Sequence, residues 1–364
     1  MTKYNSKNER IKRDYFRYQK EAQQKADATL DGIRKALMRF EEYTGYKDFV
    51  TFNKEQAIAF KKHMAAQKAQ RTGEPFSKAT LLSTINALKE FFRWLAWQPG
   101  YKSRLHVPDI EFFNLSDKDI SIAKAAKHKN FPTLEQIRKA IFSMPTDTDI
   151  QRRNRALIAF AIVTGMRDNA LASLRMKHID RSHSPVLIRQ EPDMVRTKFS
   201  KQIFTFFFPV GDDIQAIALD WERELREEKL YGQNDPVFPR TRIGHDKNMS
   251  FTTQGLEPMC WSDAAPIRKI FKEAFEAAGL PYFHPHSFRH TLGHLSQEIC
   301  CNGEQSKAWS QNLGHDSPLT TFTSYGNIDP HRQGEVIKQL SEKDSTENKM
   351  DLILAELTSL KAKI

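Results

Sequence analysis

Three segments combine arginine, histidine and tyrosine at spacings that suit the transfer of a phosphoryl group. IVTGMRDNALASLR places Arg167 just after a glycine that ends an apolar run, and HPHSFRHTLGHL places Arg289 three residues after His286. In LGHDSPLTTFTSYGN, Tyr325 stands ten residues beyond His315. Cleavage of a phosphodiester without a metal needs a nucleophile, fixed cations around the non-bridging oxygens and a proton donor for the leaving oxygen. These residue types can supply the nucleophile and the cations.

The two arginines suit the cationic function because a guanidinium stays charged and its planar fork binds two oxygens at once. Taken singly, an arginine in such a setting is more often one partner of a structural ion pair. The sequence contains no GxxxxGK[ST] loop and no obvious carboxylate cluster for magnesium. ATP use and two-metal catalysis therefore lose support.

Together these segments resemble the catalytic domain of the tyrosine recombinases, also called the phage integrase family. The family's TG-x-R stretch matches the segment from Thr164 to Arg175, and its H-x-x-R-H-T box matches His286 to Thr291. Its L-G-H box matches Leu313 to His315, and its tyrosine matches Tyr325. The order and spacing of the four boxes agree over roughly residues 131–335, which makes the resemblance specific.

The resemblance implies a role for each of these side chains. Arg167 and Arg289 would clamp the scissile phosphate. His286 would accept the tyrosine proton or hold the phosphate, and His315 would donate a hydrogen bond to a non-bridging oxygen. Tyr325 would attack phosphorus and expel a 5′-hydroxyl, which leaves a 3′-phosphotyrosyl bond. Because that bond conserves the energy of the phosphodiester, rejoining would need no cofactor, and no metal is expected.

The family also uses a lysine, which lies in a β-hairpin after the first arginine and protonates the leaving oxygen. The segment MVRTKFSKQIFTFFFPV offers two candidates. Lys198, predicted at the end of the first strand of the hairpin, is favoured over Lys201.

The sequence departs from the family pattern at two positions. Ala170 stands where an acidic residue usually follows three positions after the first arginine, so one orienting partner is missing, and whether Asp168 substitutes for it stays open. Tyr325 follows His315 by ten residues where nine is commoner, which implies one extra residue before the helix of the nucleophile. Neither departure removes a reacting group.

The histidines also allow a metal-site interpretation. His286, His290 and His294 recur every four residues, on one face of a predicted helix, and His284 lies just before them. This spacing can bind a metal, but no carboxylate or cysteine completes the set locally. A metal-dependent hydrolase is therefore one alternative function.

The charge of the chain is concentrated at its start. Residues 1–130 hold 26 Lys and Arg against 15 Asp and Glu, while the remainder holds 30 of each, so the whole net charge of +11 lies in the first third. A solvated basic surface explains such an excess as well as DNA binding does, although a basic module beside a neutral one suits a protein that holds a phosphate backbone.

The predicted organisation has four parts. They are a basic extension over residues 1–27, either helix or flexible arm; a helical DNA-binding core domain over 28–127; a catalytic domain over 131–344; and a C-terminal helix over 345–364. A polar, lysine-rich linker is expected over 117–130. The fold class is mainly α with a small β-sheet, in which PVLIRQ and QIFTFFFPV form the strands.

The tail has a pattern of its own. Apolar side chains are spaced 3, 4, 3 and 4 at Met350, Ile353, Leu357, Leu360 and Ile364. A stripe this narrow is typical of a helix that docks on another helix. The tail is expected either to contact another protomer in this way or to fold back on its own domain.

The sequence thus predicts a site-specific recombinase that acts on double-stranded DNA as a homotetramer on two sites, with accessory DNA-bending proteins as further partners. Three cysteines without CxxC spacing, a polar start and no apolar run of eighteen residues favour a cytoplasmic protein. Integration, excision or resolution of mobile DNA would be its task. Beside the hydrolase, a DNA-binding architectural protein with a dormant site is the second alternative, which Ala170 keeps open.

Overall fold

A computed structural model describes residues 4–68, 73–125, 130–245 and 249–315. The chain divides into two compact units, Met1–Ala125 and Ala126–Ile364, each with its own hydrophobic core. Within the described ranges, no helix has both the length and the apolar character that crossing a bilayer requires.

The first unit is helical. Its α-helices are α1 (Ser6–Arg17), α2 (Asp27–Thr44), α3 (Lys54–Ala66), α4 (Lys78–Leu95) and α5 (Asp117–Lys124). One π-helical turn, Tyr18–Ala22, continues α1, and short 3₁₀ segments lie at Phe49–Thr51 and Val107–Phe113. Ser77 and Asn53 each stand just before a helical pattern in the sequence, which predicts that they cap helices, and both do. Ser77 accepts a hydrogen bond from the Thr80 amide, and Asn53 accepts one from the Gln56 amide.

Aromatic rings fill the core of this unit. Phe52 stacks on Phe92 with ring centroids 4.0 Å apart, and Phe40 meets the edge of Phe92 at 5.3 Å. Both Phe40 and Phe92 are fully buried. Truncating one such ring to alanine typically costs about 3–5 kcal/mol, so this cluster supplies much of the stability of the unit.

The start of the chain belongs to this core rather than to a separate extension. Tyr15 on α1 is fully buried and its ring lies 5.0 Å from that of Phe91. The buried Asn8 side chain donates to Glu41 Oε1 at 3.1 Å and accepts from the Phe49 amide at 3.1 Å. Residues 6–22 are therefore helical and packed, which decides between the helix and the arm that the sequence left open.

The expected linker also differs from the structure. Residues 117–124 form α5, which begins at a Ser116 cap and lies in the first unit. Lys78 on α4 pairs with Asp119 at 2.7 Å, a contact between distant residues that the polar composition of the segment does not reveal. Residues 126–129 lie outside the described part of the chain.

The second unit surrounds one buried helix. Its helices are α6 (Leu134–Phe142), α7 (Asp149–Thr164), α8 (Asp168–Leu171), α9 (Asp212–Glu227), α10 (Ala265–Ala277), α11 (Ser287–Ile299) and α12 (Gly303–Asn312). Every residue of α7 from Ala156 to Thr164 is buried. The segment FPTLEQIRKAI predicts a helix capped by Thr133, and a reciprocal capping box between Thr133 and Gln136 begins α6 there.

Two small antiparallel sheets complete this unit. Strands β1 (Ile179–Asp180), β2 (Leu187–Gln190) and β3 (Ile203–Phe206) form the first in the order β1-β2-β3, with Ile188 opposite Thr205. Strands β4 (Arg240–His245) and β5 (Phe251–Glu257) form a hairpin that the sequence analysis did not predict. The mainly helical fold class with a small sheet is confirmed.

Candidate active site

A tight turn at the end of α7 positions Arg167. Gly165 ends the helix in the left-handed region at φ +59°, as predicted. A Cβ at this position would lie 2.8 Å from side-chain carbons of both Leu292 and Leu313, so only glycine fits. The chain then turns outward, and the half-buried Arg167 precedes the first residue of α8.

Arg289 contacts two of the sequence motifs, TG-x-R and L-G-H, at once. Its side chain is buried in the first turn of α11. Nη1 donates to the Gly165 carbonyl at 2.6 Å, and Nη2 donates to the Leu313 carbonyl at 2.6 Å. A buried guanidinium needs such acceptors, because an unpaired buried charge is strongly destabilising. The TG-x-R and L-G-H segments thus meet at one arginine.

His315 lies against the same guanidinium. Its Nε2 is 2.7 Å from Arg289 Nη2. Because an arginine has no acceptor, Nε2 must accept, and in the neutral ring the proton then lies on Nδ1. Gly314 precedes it at φ +70°, where a Cβ would lie 2.7 Å from Ile203 Cδ1 on β3. The positive φ and the packing against β3 therefore both favour glycine at the middle position of the L-G-H pattern.

His286 lies at the N-terminus of α11, where charges of one sign surround it. Desolvation first, and then the neighbouring Arg289, His290 and Arg167, lower its pKa to about 3. The side chain is exposed, so solvent screens part of this repulsion. His286 is neutral at pH 7 and can accept a proton.

The lysine candidates lie in the long connection between β2 and β3. The expectation that Lys198 ends the first strand is wrong, because β2 ends at Gln190 and Lys198 begins a 3₁₀ turn over Lys198–Ser200. Its ammonium lies 4.9 Å from the ring centre of Phe199, which has φ +63°. Lys201 instead borders a cavity of about 450 Å³ that His315 also lines. The choice between the two lysines stays a prediction.

The structure also shows the surroundings of Ala170, at the usually acidic position, and of Asp168. Ala170 is buried, with 1% of its surface exposed, so the usual carboxylate is replaced by core packing. Asp168 Oδ2 accepts from Arg268 Nε on α10 at 2.8 Å, and its Oδ1 accepts from the Asn169 amide at 2.9 Å. The carboxylate therefore ties α8 to α10. Sequence inspection missed Arg268, because its helix reads as an ordinary charged surface.

The histidine face is engaged in packing and pairing. His290 is buried and lies over Phe131 with centroids 6.1 Å apart, while His294 Nδ1 is 3.5 Å from Glu298. Thr291 beside them donates to the Pro132 carbonyl at 2.5 Å. In the described ranges, no three His, Cys, Asp or Glu side chains are grouped as a metal site would require.

The structure thus brings Arg289, His315 and the glycine turn before Arg167 together, with His286 beside them. Tyr325 lies outside the described residues, as does the predicted tail helix over 345–364. The model of the Phage integrase family matches residues 131–332, more than half of the chain. The chain belongs to the phage integrase family. The resemblance to this family that the sequence indicated is thereby confirmed.

Curated relatives of this phage integrase family member agree with the match. Tyrosine recombinase XerC of Lactobacillus delbrueckii subsp. bulgaricus is 24% identical over 255 residues, which cover 69% of this chain and 72% of the relative. Tyrosine recombinase XerC of Shigella dysenteriae serotype 1 is 24% identical over 321 residues, covering 86% and 90%.

A solved structure shows the same fold. A lambda integrase tetramer bound to a Holliday junction superposes with a TM-score of 0.55 at 14% identity, over 88% of this chain and 78% of that one. At this identity the similarity shows the fold alone. That fold agrees with the predicted class, mainly α with a small β-sheet.

Proposed function

We propose that this chain is a site-specific tyrosine recombinase, which cuts and rejoins duplex DNA through a 3′-phosphotyrosyl intermediate. The observation that supports it most is the buried guanidinium of Arg289, bonded to the Gly165 carbonyl and to His315. This arrangement places one fixed cation where two family boxes meet. Such a preorganised charge stabilises the developing negative charge of a phosphoryl transition state.

In the proposed first step, one bond forms and one proton is lost at Tyr325, while one bond breaks and one proton is gained at the 5′-oxygen. The Tyr325 hydroxyl oxygen bonds to phosphorus as the bond from phosphorus to the 5′-oxygen breaks. The phenolic proton passes to the imidazole of His286, which is neutral at pH 7. Lys198, or Lys201 in its place, gives a proton to the departing 5′-oxygen. Arg167 and Arg289 hold the non-bridging oxygens.

The second step reverses the first with a different strand. A 5′-hydroxyl of a partner strand gives its proton to the lysine and attacks the phosphotyrosyl phosphorus, while the Tyr325 oxygen leaves and regains its proton from His286. One phosphodiester replaces another, so the exchange is close to balanced in energy and needs no cofactor. His315, whose Nε2 accepts from Arg289, would reach the phosphate through its Nδ1–H.

The two units suggest a division of labour, with 28–127 as the DNA-holding domain and 131–344 as the catalytic one. The first third carries the whole positive excess, which suits a phosphate backbone. Assembly as a homotetramer on two DNA sites is supported by the lambda integrase tetramer, and the tail over 345–364 would link protomers. The enzyme would integrate or excise mobile DNA in the cytoplasm, with DNA-bending proteins as accessory partners.

The decisive experiment traps the covalent intermediate without knowing the site. The chain is incubated in EDTA with a pool of nicked duplexes whose core is randomised, and the products are separated under denaturing conditions. A DNA–protein adduct is expected, and sequencing of the trapped DNA gives the target site. Tyr325→Phe keeps the ring and removes only the attacking oxygen, so it should bind DNA and give no adduct.

Other outcomes separate the alternatives. DNA binding without any adduct, even on the genomic site, would indicate an architectural protein with a dormant site. Hydrolysis that chelation abolishes would indicate the metal-dependent enzyme. An adduct that persists in Tyr325→Phe would overturn the assignment of the nucleophile.

A further inference from the structure

The outer part of the β4–β5 hairpin presents large apolar side chains to solvent. Ile243 is 66% exposed and Phe251 is 80% exposed. The register pairs Ile243 with Thr253 and His245 with Phe251, so these four side chains share one face of the ribbon. The rings of His245 and Phe251 lie 4.7 Å apart. An exposed apolar face of this kind marks an interaction surface.

The base of the hairpin, in contrast, is firmly attached. The buried Arg153 on α7 donates to the Pro239 carbonyl at 2.7 Å and to Thr241 Oγ1 at 3.1 Å. Arg240 and Glu257 face each other across the two strands in a two-bond ion pair at 2.8 and 3.0 Å. Because α7 also ends in the turn before Arg167, the hairpin is fixed to the helix that positions the candidate active site.

The charge of the ribbon favours the binding of a polyanion such as a nucleic acid. Among the described residues between 240 and 256 there is no carboxylate, and Glu257 is neutralised by Arg240. Arg242 is exposed on β4, so Arg240 and Arg242 against Glu257 give the described part of the ribbon a net charge of +1. Asp246 and Lys247 lie outside the described residues and carry opposite charges. This net positive charge is complementary to the phosphates of a nucleic acid.

The remaining exposed side chains suit a nucleic acid as well. Thr252, Thr253 and Gln254 on β5 are all exposed and carry hydroxyl and amide groups. Such groups bond to phosphates and base edges, and the major groove of B-DNA admits a two-stranded ribbon. Apolar residues on DNA-binding elements contact thymine methyl groups or wedge between base steps.

We propose that the β4–β5 hairpin is a separate DNA contact, which lies in a groove of the duplex with Phe251 and Ile243 against the bases or sugars and Arg242 at the backbone. This inference rests on the proposed function, since it requires that the chain binds duplex DNA. It adds a contact outside the arginine, histidine and tyrosine boxes.

Site-specific photocrosslinking tests the occupant directly. The photoreactive residue p-benzoylphenylalanine replaces Phe251 in the full chain, which is irradiated with a pool of fluorescent duplexes of randomised sequence. A crosslink to DNA is expected. The matched control places the same probe at Leu230, which is 81% exposed beyond α9, and should give little DNA crosslink. A crosslink from position 251 to a second protein chain, or none to DNA while the protein binds the duplex, overturns the proposal.

A charge variant gives an independent measurement. Arg242→Ala should reduce the slope of log binding constant against log salt by about 0.9, as one lost phosphate contact does. Arg242→Lys should restore it, and Arg223→Ala, which removes an equally charged exposed residue of α9, should leave it unchanged. An unchanged slope in Arg242→Ala contradicts the backbone contact. If the wild-type chain binds no DNA at all, the proposed function fails first, which is a distinct result.

Discussion

Asp168, the residue after the first catalytic-type arginine, is bonded to Arg268 on α10, one hundred positions later in the chain. The distance from Oδ2 to Nε is 2.8 Å. With Ala170 buried in the core, this pair is the carboxylate contact that holds the start of α8 in the described structure. Position 170, which is acidic in the family pattern, is thus a buried alanine, while the nearby carboxylate of Asp168 contacts α10.

The ion pair between Asp168 and Arg268 predicts a modest effect on catalysis, which a charge-swapped pair should partly restore. Arg268→Ala should slow adduct formation roughly two- to fivefold, because a half-exposed ion pair contributes about 0.5–1 kcal/mol. The charge-swapped variant Asp168→Arg with Arg268→Asp should recover part of the rate. Lys269→Ala is the matched control, since it removes a charge from the same helix without touching the pair. A rate in Arg268→Ala equal to that of the control would show that the bridge does not position Arg167.

His286 predicts a specific dependence of stability on pH. Its pKa is lowered in the folded chain to about 3, from an ordinary value of 6.5, so between these values the unfolded chain binds a proton that the folded chain rejects. Stability should therefore fall as pH decreases from 6.5 towards 3. His286→Gln removes this contribution and should make the melting temperature fall less steeply over that range. Parallel curves for the two proteins would mean that the exposed ring is already solvated enough to titrate normally.

The basic first unit predicts how DNA affinity responds to salt. A fragment beginning at residue 130 retains the second hydrophobic core but none of the net positive charge. Its binding to duplex DNA should be weaker, with a shallower salt dependence, because fewer counterions are released. Titration of both proteins at several salt concentrations measures the two slopes. Equal slopes would show that the second unit makes the backbone contacts by itself.

The apolar stripe of the tail predicts a role in assembly. Deleting residues 350–364 should leave binding to a single DNA site intact and weaken the complex that pairs two sites. So short a helix cannot hold a coiled coil alone and needs a preformed groove on its neighbour. Light scattering on one-site and two-site DNA separates the two effects. An unchanged assembly on two-site DNA would place the tail on its own domain.

Local patterns in the sequence predicted the features that depend on a few neighbouring residues. Ser77 and Thr133 cap their helices, and Gly165 ends α7, because each requirement is set within one turn of helix. The strand at 203–206 follows from its branched and aromatic residues, although its bounds are narrower than QIFTFFFPV suggests. The boxes indicated which residues meet, since the resemblance supplies information that local chemistry does not.

The features that the sequence did not reveal depend on distant partners. Tyr15 looks like one aromatic residue in a charged segment until α4 brings Phe91 against it. Asp168 and Arg268, or Arg153 and Thr241, become partners only when the helices pack. The hairpin at 240–257 is not predicted by the sequence because most of its residues are exposed on both faces. Its strands therefore lack the alternation of apolar and polar residues that marks a half-buried strand.

The last prediction concerns Arg289, which has both a structural and a chemical task. Arg289→Lys keeps a positive charge but has no planar fork, so it cannot serve the Gly165 carbonyl, the Leu313 carbonyl and His315 together. Each buried acceptor left unsatisfied costs about 1–3 kcal/mol, and the melting temperature should fall. Adduct formation should fall by at least about a hundredfold, because the transition-state charge loses a fixed donor pair.

The two tasks separate experimentally. Adduct formation is measured well below the melting temperature of Arg289→Lys, where circular dichroism confirms that the chain is folded. His315→Gln is the companion variant, because it keeps a side chain that can accept from Arg289 while removing the imidazole. It should lower the adduct rate with a smaller loss of stability than Arg289→Lys. If folded Arg289→Lys forms the adduct at the wild-type rate, the guanidinium only holds the three segments together, and the phosphate must be neutralised elsewhere.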